Sequence, residues 1–249
     1  MAGIVKRTRR AYKRATLGWR EGLIRRLPPG VRRALTPAAT YLDMLFVDHG
    51  VLRLAYLNHH PLGPQMWRSA QPAPHQIRFM ASSGLKTIIN LRGERMCGSY
   101  VLERQACEQL GIKLVNCQVR SRAAPTREEL RRVRDVFETI EYPALLHCKS
   151  GADRAGLTSV LYRHLKQGVP LAEAKGELSL RFGHIRQADT GVLDYFFERY
   201  LADNERSAIP FFEWVETVYD SDEVKRTFEA QGWSKRWANR LVNGVLRRE

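Results

Sequence analysis

The apolar positions of the chain change period several times, and those changes divide it into elements. Residues 86–91, KTIINL, form a β-branched run that predicts a strand buried on both faces. Ile112–Val119 and Tyr142–His147 read the same way, and a short segment around Trp67–Ser69 precedes them. Between these runs the period lengthens to that of a helix, over Pro74–Ser83, Tyr100–Leu110 and Thr126–Glu141. The last of these opens on a threonine cap with Glu128 and Glu129 in its first turn. Arg154–Gln167, Leu171–Leu180 and Thr190–Ala202 are predicted helices as well. Strands alternating with helices predict an α/β fold with a mainly parallel twisted sheet, whose ligand site lies beyond the carboxyl ends of the strands. Tyr195, Phe196, Phe197 and Tyr200 are expected in its core.

Outside this alternation lie two apolar stripes at helical spacing. Val5, Tyr12, Trp19, Leu23 and Leu27 form the first, which ends at Pro28-Pro29-Gly30; Trp233, Trp237, Leu241 and Val245 form the second. Tyr41–Leu57 is apolar with Asp43, Asp48 and Arg53 interrupting it, and reads as a helix docking the first stripe onto the domain. The chain thus divides into a basic amphipathic extension (1–40), a docking helix and connector (41–64), an α/β domain (65–205) and a C-terminal helical extension, basic at its end (206–249).

Charge sharpens that division. The 249 residues carry a net charge of +15. Eleven Lys and Arg stand against Glu21 alone in residues 1–40, and residues 233–249 hold a further +4, which leaves +1 for everything between. A nearly neutral domain with basic amphipathic ends suits an anionic membrane surface, through Val5–Leu27 and Trp233–Arg248, although both stripes could instead pack on the domain. The basic, acid-poor start also resembles an organelle transit peptide. No aromatic-basic interleaving of an RNA-binding type is present, so nucleic acid is not an expected partner. The longest uncharged apolar stretches, such as Met44–Val47, are far shorter than the ~20 residues of a membrane span. Cys97, Cys107, Cys117 and Cys148 include no C-x-x-C pair, and His49, His59, His60 and His75 lack metal-ligand spacing. A reducing, cytoplasmic location is expected, peripheral on the inner face of a membrane.

The ends of the predicted strands carry the chemistry. Arg92-Gly93-Glu94 follows one strand and Arg120-Ser121-Arg122 the next; the third runs straight into His147-Cys148-Lys149-Ser150-Gly151-Ala152-Asp153-Arg154. A strand turning abruptly into a helix aims successive backbone N–H groups at one point, and the helix N-terminus adds positive potential, so the loop suits a dianion. Arg154 can offer two phosphate oxygens a planar fork. The same dipoles favour the thiolate of Cys148, a nucleophile.

Cys148 to Arg154, with His147 before it, resembles the C-x5-R phosphate loop of the cysteine-based protein tyrosine and dual-specificity phosphatases. Trp67-Arg68-Ser69-Ala70-Gln71-Pro72 and Gly84 to Arg92 are similar to the opening strands of compact members, so the resemblance covers roughly residues 65–200. It implies a dual-specificity-phosphatase-like fold and a phosphocysteine intermediate on Cys148. Lys149, Ser150, Gly151, Ala152 and Arg154 would bind phosphate, with no metal and no cofactor. Members commonly place an aspartate general acid where this chain has Val119–Pro125, which holds no carboxylate. Asp153 takes that role by similarity to myotubularins, Glu128 is the runner-up, and Asp153 as a plain helix N-terminal carboxylate is the alternative. Ala155 replaces the usual serine or threonine after the arginine, with Thr158 or Ser159 one turn on as possible substitutes. Lys149 resembles the lysine of the phosphatase-and-tensin-homologue group; with Arg92, Arg120 and Arg122 at the rim it favours a phospholipid or phosphoinositide headgroup. A phosphoprotein substrate and a phosphate-binding pseudophosphatase are the alternatives.

Overall fold

The computed structural model describes residues 37–231. Residues 37–42 are helical and run into a π-helical turn, Asp43–Val47; α1 (Gly50–Ala55) follows. Then come β1 (His60–Gly63), β2 (Met66–Ala70), α2 (Pro74–Ser82), β3 (Thr87–Asn90), α3 (Gly98–Leu110), β4 (Lys113–Asn116) and α4 (Arg127–Thr139). After them are β5 (Ala144–Cys148), α5 (Asp153–Gln167), α6 (Leu171–Ala174), α7 (Val192–Ser207), α8 (Phe211–Thr217) and α9 (Ser221–Gln231).

The five strands lie in the order β1-β2-β5-β3-β4, all parallel except β1, which is antiparallel to β2. The α/β class and the mainly parallel sheet agree with the sequence pattern. Central β3 and β5 are buried at every position, as their unbroken apolar runs predict, and β4 at the edge is exposed at both ends. Side chains alternate across the sheet: Ile88 and Leu145 join Ile77 of α2 and Cys107 of α3 on one face. Ile89 and Leu146 meet Leu130 and Phe137 of α4, Val160 of α5 and the Phe196–Phe197 pair of α7 on the other. That pair stacks with Phe211, and Phe196 also with Trp214 and Tyr219, so the aromatic cluster is core, as expected. No described helix is long and apolar enough to cross a membrane.

Four elements differ from the pattern. β1 arises inside the segment read as a connector, where Pro61 and a four-residue length hide an edge strand. The docking helix over 41–57 is broken at Asp48–His49, where His49 adopts φ +56°. The helix expected over Leu171–Leu180 stops at Ala174 and gives way to short 3-10 turns at Lys175–Glu177 and Leu180–Phe182, because this stretch returns to brace β2 and the loop after β5. α7 begins at Val192, after a 3-10 turn, and runs on to Ser207. The stripes Val5–Leu27 and Trp233–Arg248 lie outside the described residues.

Candidate active site

β5 ends at Cys148 and α5 begins at Asp153, so four residues make the turn. Gly151 takes φ +74° there, and a Cβ would stand 2.7 Å from the Ala70 nitrogen, so conformation and space both demand glycine. Neighbouring residues hold every carbonyl of the turn. The Gln71 amide donates to Lys149 O (3.4 Å), Asn58 Nδ2 to Ser150 O (3.0 Å), and Arg68 Nη2 to Gly151 O (2.7 Å) and Ala152 O (3.2 Å). Across a trans peptide the N–H points opposite to the C=O. Fixing carbonyls 149 to 152 therefore turns the amides of Ser150, Gly151, Ala152 and Asp153 to the other side, and none of these four donates to a protein acceptor among the described residues. The four lie at the N-terminus of a 15-residue helix, in the turn between buried Cys148 and buried Arg154.

Arg68 is the main brace. Fully buried, it also donates from Nη1 to the carbonyl and carboxylate of Glu177 (both 2.8 Å) and lies 4.1 Å over the Phe182 ring. Asn58 Nδ2 ties the same region together by donating to Phe182 O (2.8 Å). Sequence reasoning missed both; the one signal was an arginine as the only charged residue of a short strand.

Behind the nucleophile runs a buried polar chain. His147 Nε2 stands 2.8 Å from Glu103 Oε1, and Gln71 Nε2 donates to Glu103 Oε2 (2.8 Å). Arg92 donates to Gln71 and grips both oxygens of Asp48 (2.7 and 2.8 Å). Arg53 (3.2 Å) and Ser99 (2.7 Å) donate to the same carboxylate. Burial alone would raise the Asp48 carboxyl, yet Arg92 and Arg53 hold it well below the usual carboxylate range.

The candidate residues separate accordingly. Lys149, Ser150, Gly151, Ala152 and Arg154 share the loop with Cys148, and the Lys149 ammonium lies 3.9 Å from Asp48. Arg92 is not on the rim: it is 3% exposed and engaged by Asp48 and Gln71, because an extended arginine at this strand end reaches a buried carboxylate. Arg120 and Arg122 are both exposed, and Arg120 pairs with Glu129 (3.1 Å).

The general-acid expectation for Asp153 meets a different geometry. His184 Nδ1 is 2.7 Å from Asp153 Oδ1, and its Nε2 is 2.7 Å from Asp194 Oδ2 on α7. Burial pushes His184 down, but the hydrogen bonds to Asp153 and Asp194 outweigh it and raise the imidazole to about 9. A protonated imidazole donates from both nitrogens, so the Asp153 oxygen facing it, Oδ1, is an acceptor, and the general-acid role would fall to the other oxygen alone. Asp153 thus fastens the first turn of α5 to α7. Glu128 is exposed, and the backbone amide at its helix N-terminus and Thr126 hold its carboxyl low. Thr158 and Ser159 are buried, and their hydroxyls have no partner among the described residues. Of the other cysteines, burial pushes Cys107 up to about 12 and Cys117 to about 11. Among the described residues, no group of three or more His, Cys, Asp and Glu is placed to hold a metal ion.

A family model described as "DSP-PTPase phosphatase fused to NAD+ Kinase" matches residues 58–191, more than half of the chain. The chain belongs to this phosphatase family. It is 29% identical over 110 residues to "Probable NAD kinase 2, chloroplastic" of Oryza sativa subsp. japonica, covering 43% of this chain and 11% of that protein. Over 113 residues it is 25% identical to "Dual specificity protein phosphatase TpbA" of Pseudomonas aeruginosa, covering 45% of this chain and 49% of that one. The chain thus spans a minor part of the one relative and about half of the other. The crystal structure of P. aeruginosa TpbA superposes with a TM-score of 0.50 at 22% identity, over 62% of this chain and 91% of that one, and so shares the fold. The resemblance drawn from the C-x5-R loop and the DSP-like sheet agree with these matches, and the family region begins at Asn58, the residue that pins Ser150 O.

Proposed function

We propose that the chain is a phosphomonoester hydrolase working through a phosphocysteine intermediate, on a phosphorylated lipid headgroup at a membrane surface. The observation that supports the reaction best is the set of four amides turned inward by Asn58, Arg68 and Gln71 at the N-terminus of α5. A bound phosphate monoester would sit on those amides and on Arg154, with its phosphorus facing Cys148. The thiolate attacks phosphorus; the S–P bond forms, the P–O ester bond breaks, and the leaving oxygen takes a proton from water. Water then attacks the phosphocysteine, the S–P bond breaks, and inorganic phosphate departs with the thiolate restored. The loop supplies the charge compensation in both steps.

Lys149 in the loop and exposed Arg122 support an anionic headgroup carrying charge beyond the reacting phosphate. The similarity to TpbA, named a dual specificity protein phosphatase, favours a phosphoprotein as second reading. The deciding experiment is phosphate release from phosphatidylglycerophosphate, phosphoinositides, inositol phosphates and a phosphotyrosine peptide, with Cys148→Ser alongside. Cysteine-dependent release from a lipid is the expected result. Release from the peptide alone would move the assignment to phosphoproteins, and no release despite retained binding of a phosphate analogue would leave a phosphate-binding pseudophosphatase.

A further inference from the structure

Residues 41–57 are packed inside out. Their acids and their arginine, Asp43, Asp48 and Arg53, are all buried, while Leu42, Phe46, Val47, Val51, Leu52 and Tyr56 are exposed, Leu52 to 73% and Phe46 to 65%. Eight of the thirteen exposed large apolar side chains among the described residues lie between Tyr41 and Tyr56. An ordinary surface segment puts the opposite set outward. The charges are turned in because they have buried partners: Asp43 accepts from the Gly98 amide (2.5 Å), and Asp48 holds Arg92 and Arg53. Those anchors fix the segment, so its apolar side is presented on a rigid base and has no inward route.

The ridge borders the phosphate loop. Asp48, between Val47 and Val51, is 3.9 Å from Lys149; Tyr56 Oη donates to Asn58, whose amide holds Ser150 O. Met96, 79% exposed, belongs to the loop that leads into Gly98, where Asp43 is anchored. Immediately before the segment, residues 1–36 carry a net charge of +10.

We propose that this apolar ridge is a membrane-docking surface: it enters the interface of an anionic bilayer, the preceding basic residues bind the lipid phosphates, and the mouth of the phosphate loop faces the headgroups. Apolar insertion and polybasic attraction are the two signals that together make peripheral binding stable. Charge selects this occupant over a second copy of the chain, since two chains of net charge +15 repel each other, whereas an anionic lipid surface neutralises that charge. The inference rests on the lipid reading of the site, but binding can be measured without turnover.

The test uses the full chain with vesicles of phosphatidylglycerol and phosphatidylcholine, and vesicles of phosphatidylcholine alone, in co-sedimentation. Hydrolysis of a soluble aryl phosphate is followed in parallel. Binding to the anionic vesicles only is expected, falling about tenfold or more in Phe46→Glu/Leu52→Glu, with aryl phosphate hydrolysis unchanged. A second variant, Leu42→Ser/Val51→Ser, should weaken binding in the same sense without adding negative charge. Undiminished vesicle binding in both variants overturns the proposal. So does a concentration-dependent dimer in the parent that the substitutions abolish, which would assign the ridge to a second copy. Exposure of Phe46 and Leu52 to a small water-soluble probe that is the same with vesicles present and absent overturns it too, because the ridge then does not enter the bilayer. A parent that binds vesicles through the ridge but hydrolyses no lipid would leave the docking surface standing and remove the lipid substrate.

Discussion

His184 occupies the space between the phosphate loop and α7, and its two 2.7 Å contacts make it the pivot of Asp153. Its imidazole is raised from 6.5 to about 9, so the stability it contributes is fully present below pH 6.5 and is lost as the pH climbs through about 9. The shift corresponds to roughly 3 kcal/mol. The melting temperature of the parent should therefore fall between pH 6.5 and 9, and His184→Gln should be less stable at pH 6.5 with a flatter profile; parallel profiles would contradict the pairing. The acceptor role of Asp153 gives a second expectation. Asp153→Asn should slow turnover by a similar factor for aryl and alkyl phosphates, since it loosens the loop rather than removing a proton donor. A loss confined to alkyl esters, whose leaving oxygen needs the proton most, would restore Asp153 as general acid.

Among the elements, the broken helix before β1 depends on one side chain. Asp48 is 2% exposed and neutralises Arg92 and Arg53, so Asp48→Asn leaves two buried guanidinium groups without their anion. Removing one partner of a buried pair costs about 3 kcal/mol or more. Asp48→Asn should lower the denaturation midpoint accordingly and open the bond after Arg53 to trypsin in the native state; an unchanged midpoint with Arg53 still protected would show that apolar packing of Met44 suffices. This element also marks the limit of sequence reading. The central strands declare themselves because KTIINL and the run into Cys148 need only their own residues to be read. The segment 41–57 looks like an amphipathic helix with three interruptions, and only the fold reveals that the interruptions are its inner face. Gly98 and Arg92, which receive Asp43 and Asp48, stand 55 and 44 residues away.

At the scale of the whole molecule, the loop was legible and its supports were not. Cys148, Gly151 and Arg154 lie within one short run whose chemistry is local. Asn58, Arg68 and His184 reach that run across 92, 83 and 31 residues, and no periodicity records such contacts. Yet the supports make the loop an anion site before any anion arrives, since they fix the carbonyls that would otherwise be free to turn inward. Binding should then stabilise the folded chain by mass action. An oxyanion such as sulfate or inorganic phosphate, at about a hundred times its Kd, contributes about 2.7 kcal/mol, equivalent to a rise of roughly 5–10 °C in melting temperature for a domain of this size. Cys148→Ser should keep that rise, because the amides and Arg154 do the holding. Asn58→Ala frees Ser150 O, so the Ser150–Gly151 peptide can rotate and withdraw an amide from the cradle. It should therefore need severalfold more anion for the same rise, with a smaller effect on the melting temperature in anion-free buffer. Equal anion dependence in Asn58→Ala and the parent would mean that the turn holds its own conformation, and that Arg68 and Gly151 alone set the direction of its amides.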